Sequence, residues 1–364
     1  MPADLHNLLG LISINGLGPR RIIQLLGRYP DLNEIWQAPL KELCEIPGID
    51  MVTAQKIRAG YDQKFVERQL RFLQNKDYQA ITYLDEKYPC HLKNIYDPPV
   101  VLFTCGDFIA QDADAIAIVG TRTPSTYGRE VTTELVRELV AKNLTIISGF
   151  ARGIDTEAHK TAIKCGGRTI AVLGNGIDQV YPPENRHLRD ELIAQGVYCS
   201  EFPFETKPDA VNFPRRNRII SGMSLGVVVI EAGEKSGALL TAYYALDQNR
   251  EVFAIPGRIT DEKSQGTNRL IQKGAKLVRN SDDIIEEIEE QLTFTTRPRQ
   301  LAIQFDFANP EEKTIYDILT KEPLHIDEIA NRIGKTTYEI LATLLGLELK
   351  GAVRQLPGKM FIRN

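Results

Sequence analysis

Seven short runs rich in β-branched residues recur between residues 115 and 278: "AIAIVG", "LTIISG", "TIAVLG", "GVYCSEFP", "LGVVVIEAG", "EVFAIPG" and "AKLV". Helical patterns such as "GREVTTELVRELVAKN" and "TEAHKTAIKCGG" separate them. The runs are apolar at successive positions, not at alternate ones. A strand of that kind is buried on both faces, as in a parallel sheet covered by helices above and below. The pattern predicts a doubly wound α/β domain. Several runs end in glycine or a polar turn, so their loops collect at the carboxyl edge of the sheet, where ligands bind in such folds.

The flanking segments differ. "INGLGPRRIIQLL" (residues 14–26) has the form of a helix-hairpin-helix, with glycines at a tight turn before a helix start. A second copy, "IPGIDMVTAQKI", keeps Gly48 but has Asp50 in place of the second glycine, and an acid there argues against a phosphate contact. After the linker "TFTTRPRQLAIQFDFANP", the last segment reads as three helices (Glu311–Leu319, Ile326–Arg332, Thr337–Leu349) and a hairpin around "AVRQLP" and "KMFIR", a winged-helix pattern. The expected domains are 1–75 (helix-hairpin-helix, SAM-like), 76–292 (extended Rossmann-like), 293–309 (linker) and 310–364 (winged-helix-like). The helix in the recognition position carries Glu339 and Glu348, which would meet a phosphate backbone badly. A protein-interaction or regulatory role for that domain is the better expectation.

The net charge of the 364-residue chain is −4, so a nucleic-acid site would have to be a local patch. The start lacks a basic region followed by a long apolar core, and no apolar run is long enough to cross a bilayer. The five cysteines form no C-x-x-C pair, which points to reduced thiols and a cytoplasmic location.

The edge loops carry a consistent set of residues. "VGTRTPSTYG" supplies Arg122, a planar fork for phosphate, among hydroxyls. "SGFARGID" contributes Ser148, Gly149 and Arg152, with small residues that leave backbone N–H groups open. "NFPRRNR" brings Phe213, Arg215, Arg216, Asn217 and Arg218, and "EAGEKSGALLTA" brings Lys235, Ser236 and Gly237 into a helix start. A glycine after a strand is often only a turn, and an arginine cluster is often a solvated helix face. Gathered on one edge, however, cations, a stacking ring and small-residue turns suit a single-stranded nucleic acid.

Other chemistries lack their motifs. No G-x-G-x-x-G is followed by a suitably placed acid, and no G-x-x-x-x-G-K-[ST] is present. Asp155, Asp178, Glu201 and Glu231 are not spaced as metal ligands; Asp155 and Asp178 read as caps. No catalytic residue, metal or cofactor is expected.

Taken in order, "YPCHLKNIYDPPVVLFTCGD", "AIVGTRTPSTYG", "ISGFARGIDTEAH", "TIAVLGNGIDQVYPPEN", "NFPRRNRIISGMS", "VVVIEAGEKSGALLTAYYAL", "VFAIPG" and "GTNRLIQKGA" resemble the DNA processing protein A family (DprA, also called Smf). The resemblance runs without a gap from about residue 88 to 278, and the flanking segments resemble accessory domains of the family. It implies a non-enzymatic, dimeric protein that binds single-stranded DNA in natural transformation and homologous recombination and loads the RecA recombinase onto it. By motif position, Arg122 would hold a phosphate and Ser148 and Gly149 would offer donors. Phe213 would stack on a base beside Arg216 and Arg218, and Lys235, Ser236 and Gly237 would complete the pocket. The chain departs from some members at Ala210, where they place a lysine; Lys207 and Arg215 are the nearest substitutes. The rival reading is a phosphoribohydrolase-like nucleotide enzyme of the same fold. Against it, the turn "EAGEKSGALLTA" lacks the glutamate that comes after the glycine loop in those enzymes. A duplex-DNA regulator acting through the winged helix is disfavoured by its acids.

Overall fold

A computed structural model describes residues 3–293, 310–320, 324–350, 352–356 and 359–363. The linker expected at 293–309 lies outside the described residues except at Thr293. The chain divides into two compact units, Met1–Thr296 and Arg297–Asn364.

The larger unit is built on nine strands: β1 (Gln79–Thr82), β2 (Val101–Cys105), β3 (Ala115–Val119), β4 (Thr145–Ser148), β5 (Thr169–Val172), β6 (Val197–Ser200), β7 (Gly226–Val229), β8 (Glu251–Ala254) and β9 (Lys276–Leu277). Their order is β1-β2-β6-β5-β4-β3-β7-β8-β9, parallel from β6 to β9. All seven expected strands form. β1 and β2 were not expected, and they extend the β6 edge in antiparallel sense. From β3 the chain winds through β4, β5 and β6 on one side, then returns to β7 on the other side of β3. The winding reverses between β3 and β7, which opens a crevice at their carboxyl ends.

Alternation hidden in the apolar runs becomes visible in the packing. Ala115, Ala117 and Val119 of β3 join one core cluster, and Ile116 and Ile118 join another. Successive side chains point to opposite faces, and both faces are covered. Helices Asn212–Gly222 and Gly237–Asp247 cover the first face through Ile219, Ile220, Leu239 and Ala242. Helices Thr126–Ala141, Ile154–Lys164 and Ser281–Ile288 cover the second through Leu135, Ala158 and Ile284.

The helical N-terminal segment packs onto the β2–β6 edge and shares a core with Phe103, Tyr198 and Phe204. Phe72 stacks on Phe204 with ring centroids 4.7 Å apart, and Gln69 accepts the Phe204 N–H at 2.8 Å. Gly16 takes a left-handed φ of 91°, and Gly18 precedes helix Pro19–Arg28. In the second copy, Asp50 caps helix Met51–Arg58 by accepting the Thr53 N–H at 2.8 Å. That acid occupies the helix start, which is where a phosphate would sit.

The smaller unit has helices Pro310–Ile318, Ile326–Ile333 and Thr337–Leu349 and a three-stranded antiparallel sheet. Its third strand, Leu324–His325, is too short to read from sequence. The acids of the third helix have local partners. Glu339 closes a capping box with Thr336, and Glu348 accepts the Gln355 N–H at 3.0 Å. The outer side of this helix exposes Tyr338, Leu341 and Leu345.

Candidate functional site

The crevice is a groove of about 920 Å³. Its walls come from the loop after β3 (Gly120 to Thr123), the start of helix Asn212–Gly222 (Phe213, Arg216, Asn217), the loop after β7 (Gly233, Lys235 to Gly237) and Lys263. A narrower depression adjoins it, lined by Arg122, Gly149, Arg152, Gly174, Asn175, Tyr181 and Phe213. The six strands β3 to β8 deliver these segments to one edge, so residues more than a hundred positions apart meet.

Phe213 stands where the two hollows join. Its ring is 5.7 Å from the ring of Tyr181, and the Arg122 guanidinium lies 5.5 Å from its centroid. Gly174 makes this placement possible: a Cβ there would sit 2.7 Å from Cδ1 of Phe213. Arg122 and Lys235 are exposed. Ser236 caps helix Gly237–Asp247 by accepting the Ala238 N–H at 3.3 Å. Asn217 reaches the Gly237 carbonyl at 3.4 Å, tying the two helix starts together.

Arg216 is a strut under the groove floor. It is only 4% exposed, and it donates to the carbonyls of Gly149 and Val172 at the ends of β4 and β5. Asp155, also buried, faces it and accepts the N–H groups of Gly149 (3.1 Å) and Ala151 (3.3 Å). Burial pushes the Asp155 carboxyl above the usual range, and Arg216 and the donors pull it back. Asp155 thus closes the loop after β4 and braces the arginine, a larger task than the cap expected of it.

Three sequence expectations need correction. Ser148 is fully buried and its hydroxyl donates to the Ile118 carbonyl at 2.6 Å; with the Gly149 N–H held by Asp155, neither donor is open to a ligand. Arg218 does not line the groove. It is 5% exposed and pairs with Glu201 at 2.6 Å and Asp97 at 2.9 Å. Helix geometry places it about 100° per residue around from the groove-facing positions. Arg215 leaves the helix on the side away from the groove, over the Phe202 ring at 5.4 Å. Arg152 borders the narrow depression, paired with Glu184 at 2.8 Å in an exposed ion pair of little energetic weight.

Two lining residues escape a reading of the sequence. Tyr181 lies in "GNGIDQVYPPEN", and its position before two prolines gives no sign that it flanks Phe213. Lys263 comes nine residues after β8 and reaches the groove only through the course of its loop.

Beneath the site His159 is fully buried, with Nδ1 2.7 Å from the Thr169 hydroxyl and Nε2 without a partner among the described residues. Burial, then the nearby Arg216 charge, push it down to about 3. The neutral ring is favoured in the fold, so its contribution is complete above the ordinary histidine value of 6.5 and is lost as pH falls towards 3. Asp155 shifts the other way and contributes with opposite sign. Comparing His159→Gln with the parent chain isolates the imidazole. Between pH 6 and 4 the variant should gain about 1.4 kcal/mol per pH unit on the parent in denaturant unfolding. A difference independent of pH would show that the ring is already charged in the fold.

Comparison with known proteins gives a consistent set of matches. The family model for DNA recombination-mediator protein A matches residues 79–289. Those for the DprA winged helix domain and for a SAM-like helix-hairpin-helix tandem match residues 301–359 and 8–60. The DNA processing protein DprA of Bacillus subtilis is 42% identical over 271 residues, which cover 72% of this chain and 91% of that protein. The X-ray structure of DprA from Streptococcus pneumoniae aligns with a TM-score of 0.69 and 34% identity, covering 79% of this chain and 99% of that one. DNA processing protein A from Helicobacter pylori, whose structure was solved for its single-stranded DNA binding mode, aligns with a TM-score of 0.52 and 30% identity, covering 58% and 96%.

Proposed function

This chain belongs to the DNA processing protein A (DprA/Smf) family of recombination mediators, and from that premise we propose that it binds single-stranded DNA along the β3–β7 groove. Phe213 carries the reading: an aromatic ring at the mouth of a cationic groove, between Tyr181 and the Arg122 guanidinium. A base already paired in a duplex hides its face, so a stacking ring selects unpaired strands. Arg122, Lys235 and Lys263 supply phosphate contacts around it, and Asn217, Ser236 and Gly237 shape the wall. Gly149 and Arg152 border the depression into which the neighbouring nucleotide passes. Arg216 acts from below, as a fixed charge that also holds the loops.

Once bound, the strand is handed to RecA in DNA uptake and recombination. The protein works as a dimer through the Rossmann-like domain, and the exposed Leu240, Tyr243 and Leu246, spaced three apart on helix Gly237–Asp247, support an apolar contact there. Two linked grooves would hold a long strand far more tightly than a short one. The protein acts in the cytoplasm, where RecA and the strand meet. No helix among the described residues is long and apolar enough to cross a membrane.

Fluorescence anisotropy of labelled oligothymidine against its duplex, across a salt series, tests the proposal. The single strand should bind more tightly, with log affinity falling against log salt by about 0.7 per phosphate contact. Equal binding of duplex would refute it. The enzyme reading is opposed by Glu231, the acid of the corresponding loop, which accepts both the N–H and the hydroxyl of Ser125 and so holds the residue that caps helix Thr126–Ala141. Steady release of free base from AMP or CMP would revive that reading.

A further inference from the structure

Phe213 and Arg215 leave the first turn of helix Asn212–Gly222 about 200° apart, so they serve opposite sides of it. Phe213 faces the groove. Arg215, exposed and without an ion-pair partner among the described residues, rims a second cleft of about 360 Å³. This cleft lies between the N-terminal helical segment and the sheet, and Leu17, Ile22, Phe65, Pro99 and Phe202 give it apolar walls. Gly18 and Pro19 border it too, at the start of a ten-residue helix; Pro19 carries no N–H and the Arg21 N–H bonds the Gly18 carbonyl at 3.1 Å, which leaves the Arg20 N–H as the first-turn donor. The Arg20 guanidinium lies 4.0 Å over the exposed Tyr96 ring.

Besides Arg215, the polar side chains of the cleft wall are Ser13, Asp62 and Glu201; Ser13 accepts the Asp62 N–H at 3.2 Å, and Asp62 accepts the Phe65 N–H at 3.0 Å. The Glu201 side chain is 7% exposed; Oε2 takes the Arg218 guanidinium, and Oε1 accepts no hydrogen bond among the described residues. A buried carboxylate oxygen without a donor is costly. It favours a ligand that brings an N–H group into an apolar slot.

We propose that this cleft is a second base site on the same DNA strand, separate from the groove. The strand passes over the start of helix Asn212–Gly222, with a phosphate between Arg215 and the Gly18–Pro19 helix start, and sets the next base against Phe202 and Phe65. The base suited to Glu201 carries an exocyclic amino group, as cytosine does. The proposal rests on single-stranded DNA binding at the groove and adds a second contact and a base preference.

Photo-crosslinking of the full chain tests it. An oligodeoxycytidine strand carries 5-iododeoxycytidine at each position in turn, and mass spectrometry locates the crosslinked residues. Crosslinks are expected at Phe213 or Tyr181 and, from a position further along, at Phe65 or Phe202. Arg215→Ala should abolish the second set, keep the first, and lower the salt slope by about 0.7. Unlabelled oligodeoxycytidine should compete for the cleft crosslink better than oligothymidine. Crosslinks confined to the groove, or equal competition, would overturn the cleft while leaving the groove intact. Absence of strand binding altogether would remove both.

Discussion

Phe213→Ala weakens binding of oligothymidine by about 1–3 kcal/mol, roughly five- to 150-fold, the range measured when a base loses an aromatic platform. The effect should be large because the ring is the joint between groove and depression and because its neighbours depend on it. Arg122 keeps its charge in the variant but loses the face it lies over at 5.5 Å, and Tyr181 loses its partner at 5.7 Å. The fold should be little disturbed, since Phe213 is only half-buried and belongs to none of the core clusters. Arg122→Ala should also weaken the strand, with a different signature: the salt slope drops by about 0.7, the share of one phosphate. Phe213→Ala should leave the slope unchanged. If Phe213→Ala binds like the parent, base stacking at this edge is wrong. If both variants change the slope alike, the ring acts only by positioning Arg122.

Arg218→Ala gives the opposite profile. Removing the guanidinium leaves Glu201 buried and unpaired, and breaking a buried ion pair from one side costs about 3–5 kcal/mol. Both partners are 7% exposed at their side chains, so water offsets only part of the lost contact at Glu201. Asp97, 40% exposed, is rescued by solvent and adds little. Chemical denaturation should therefore show a large loss of stability. Below the unfolding transition, the groove should bind oligothymidine within about twofold of the parent, because Arg218 does not line it. A stable Arg218→Ala protein that fails to bind the strand would return this arginine to the DNA interface.

These profiles separate residues that look alike in the sequence. "PRRNR" presents three arginines in four positions, all equally plausible as phosphate ligands. On the helix they take three tasks. Arg215 is exposed over Phe202, Arg216 is buried against two strand-end carbonyls, and Arg218 is buried between two acids. A rotation of about 100° per residue separates these environments, and no property of an arginine in a one-dimensional string records what waits at each angle. Ser148 misleads for a related reason. A serine at the end of a strand resembles an open donor, but the Ile118 carbonyl on the adjacent strand takes its hydroxyl, and adjacency in a sheet is non-local.

The sequence by itself determined the layered fold and the edge at which the site forms. Runs apolar at every position require a sheet covered on both faces, and glycine-ended strands collect their loops on one side. It also determined the motif order that marks the family. Local rules sufficed there, because strand periodicity, turn chemistry and helix caps are written within a few residues. Tertiary structure decided which cations are free. The burial of Arg216 and Arg218, the arrival of Tyr181 and Lys263, and the cleft at Arg215 all depend on which strands are neighbours. Pairing of segments far apart in the chain sets the desolvation of each charge and the partner it meets, and both quantities decide whether a charged side chain supports the fold or remains available to a ligand.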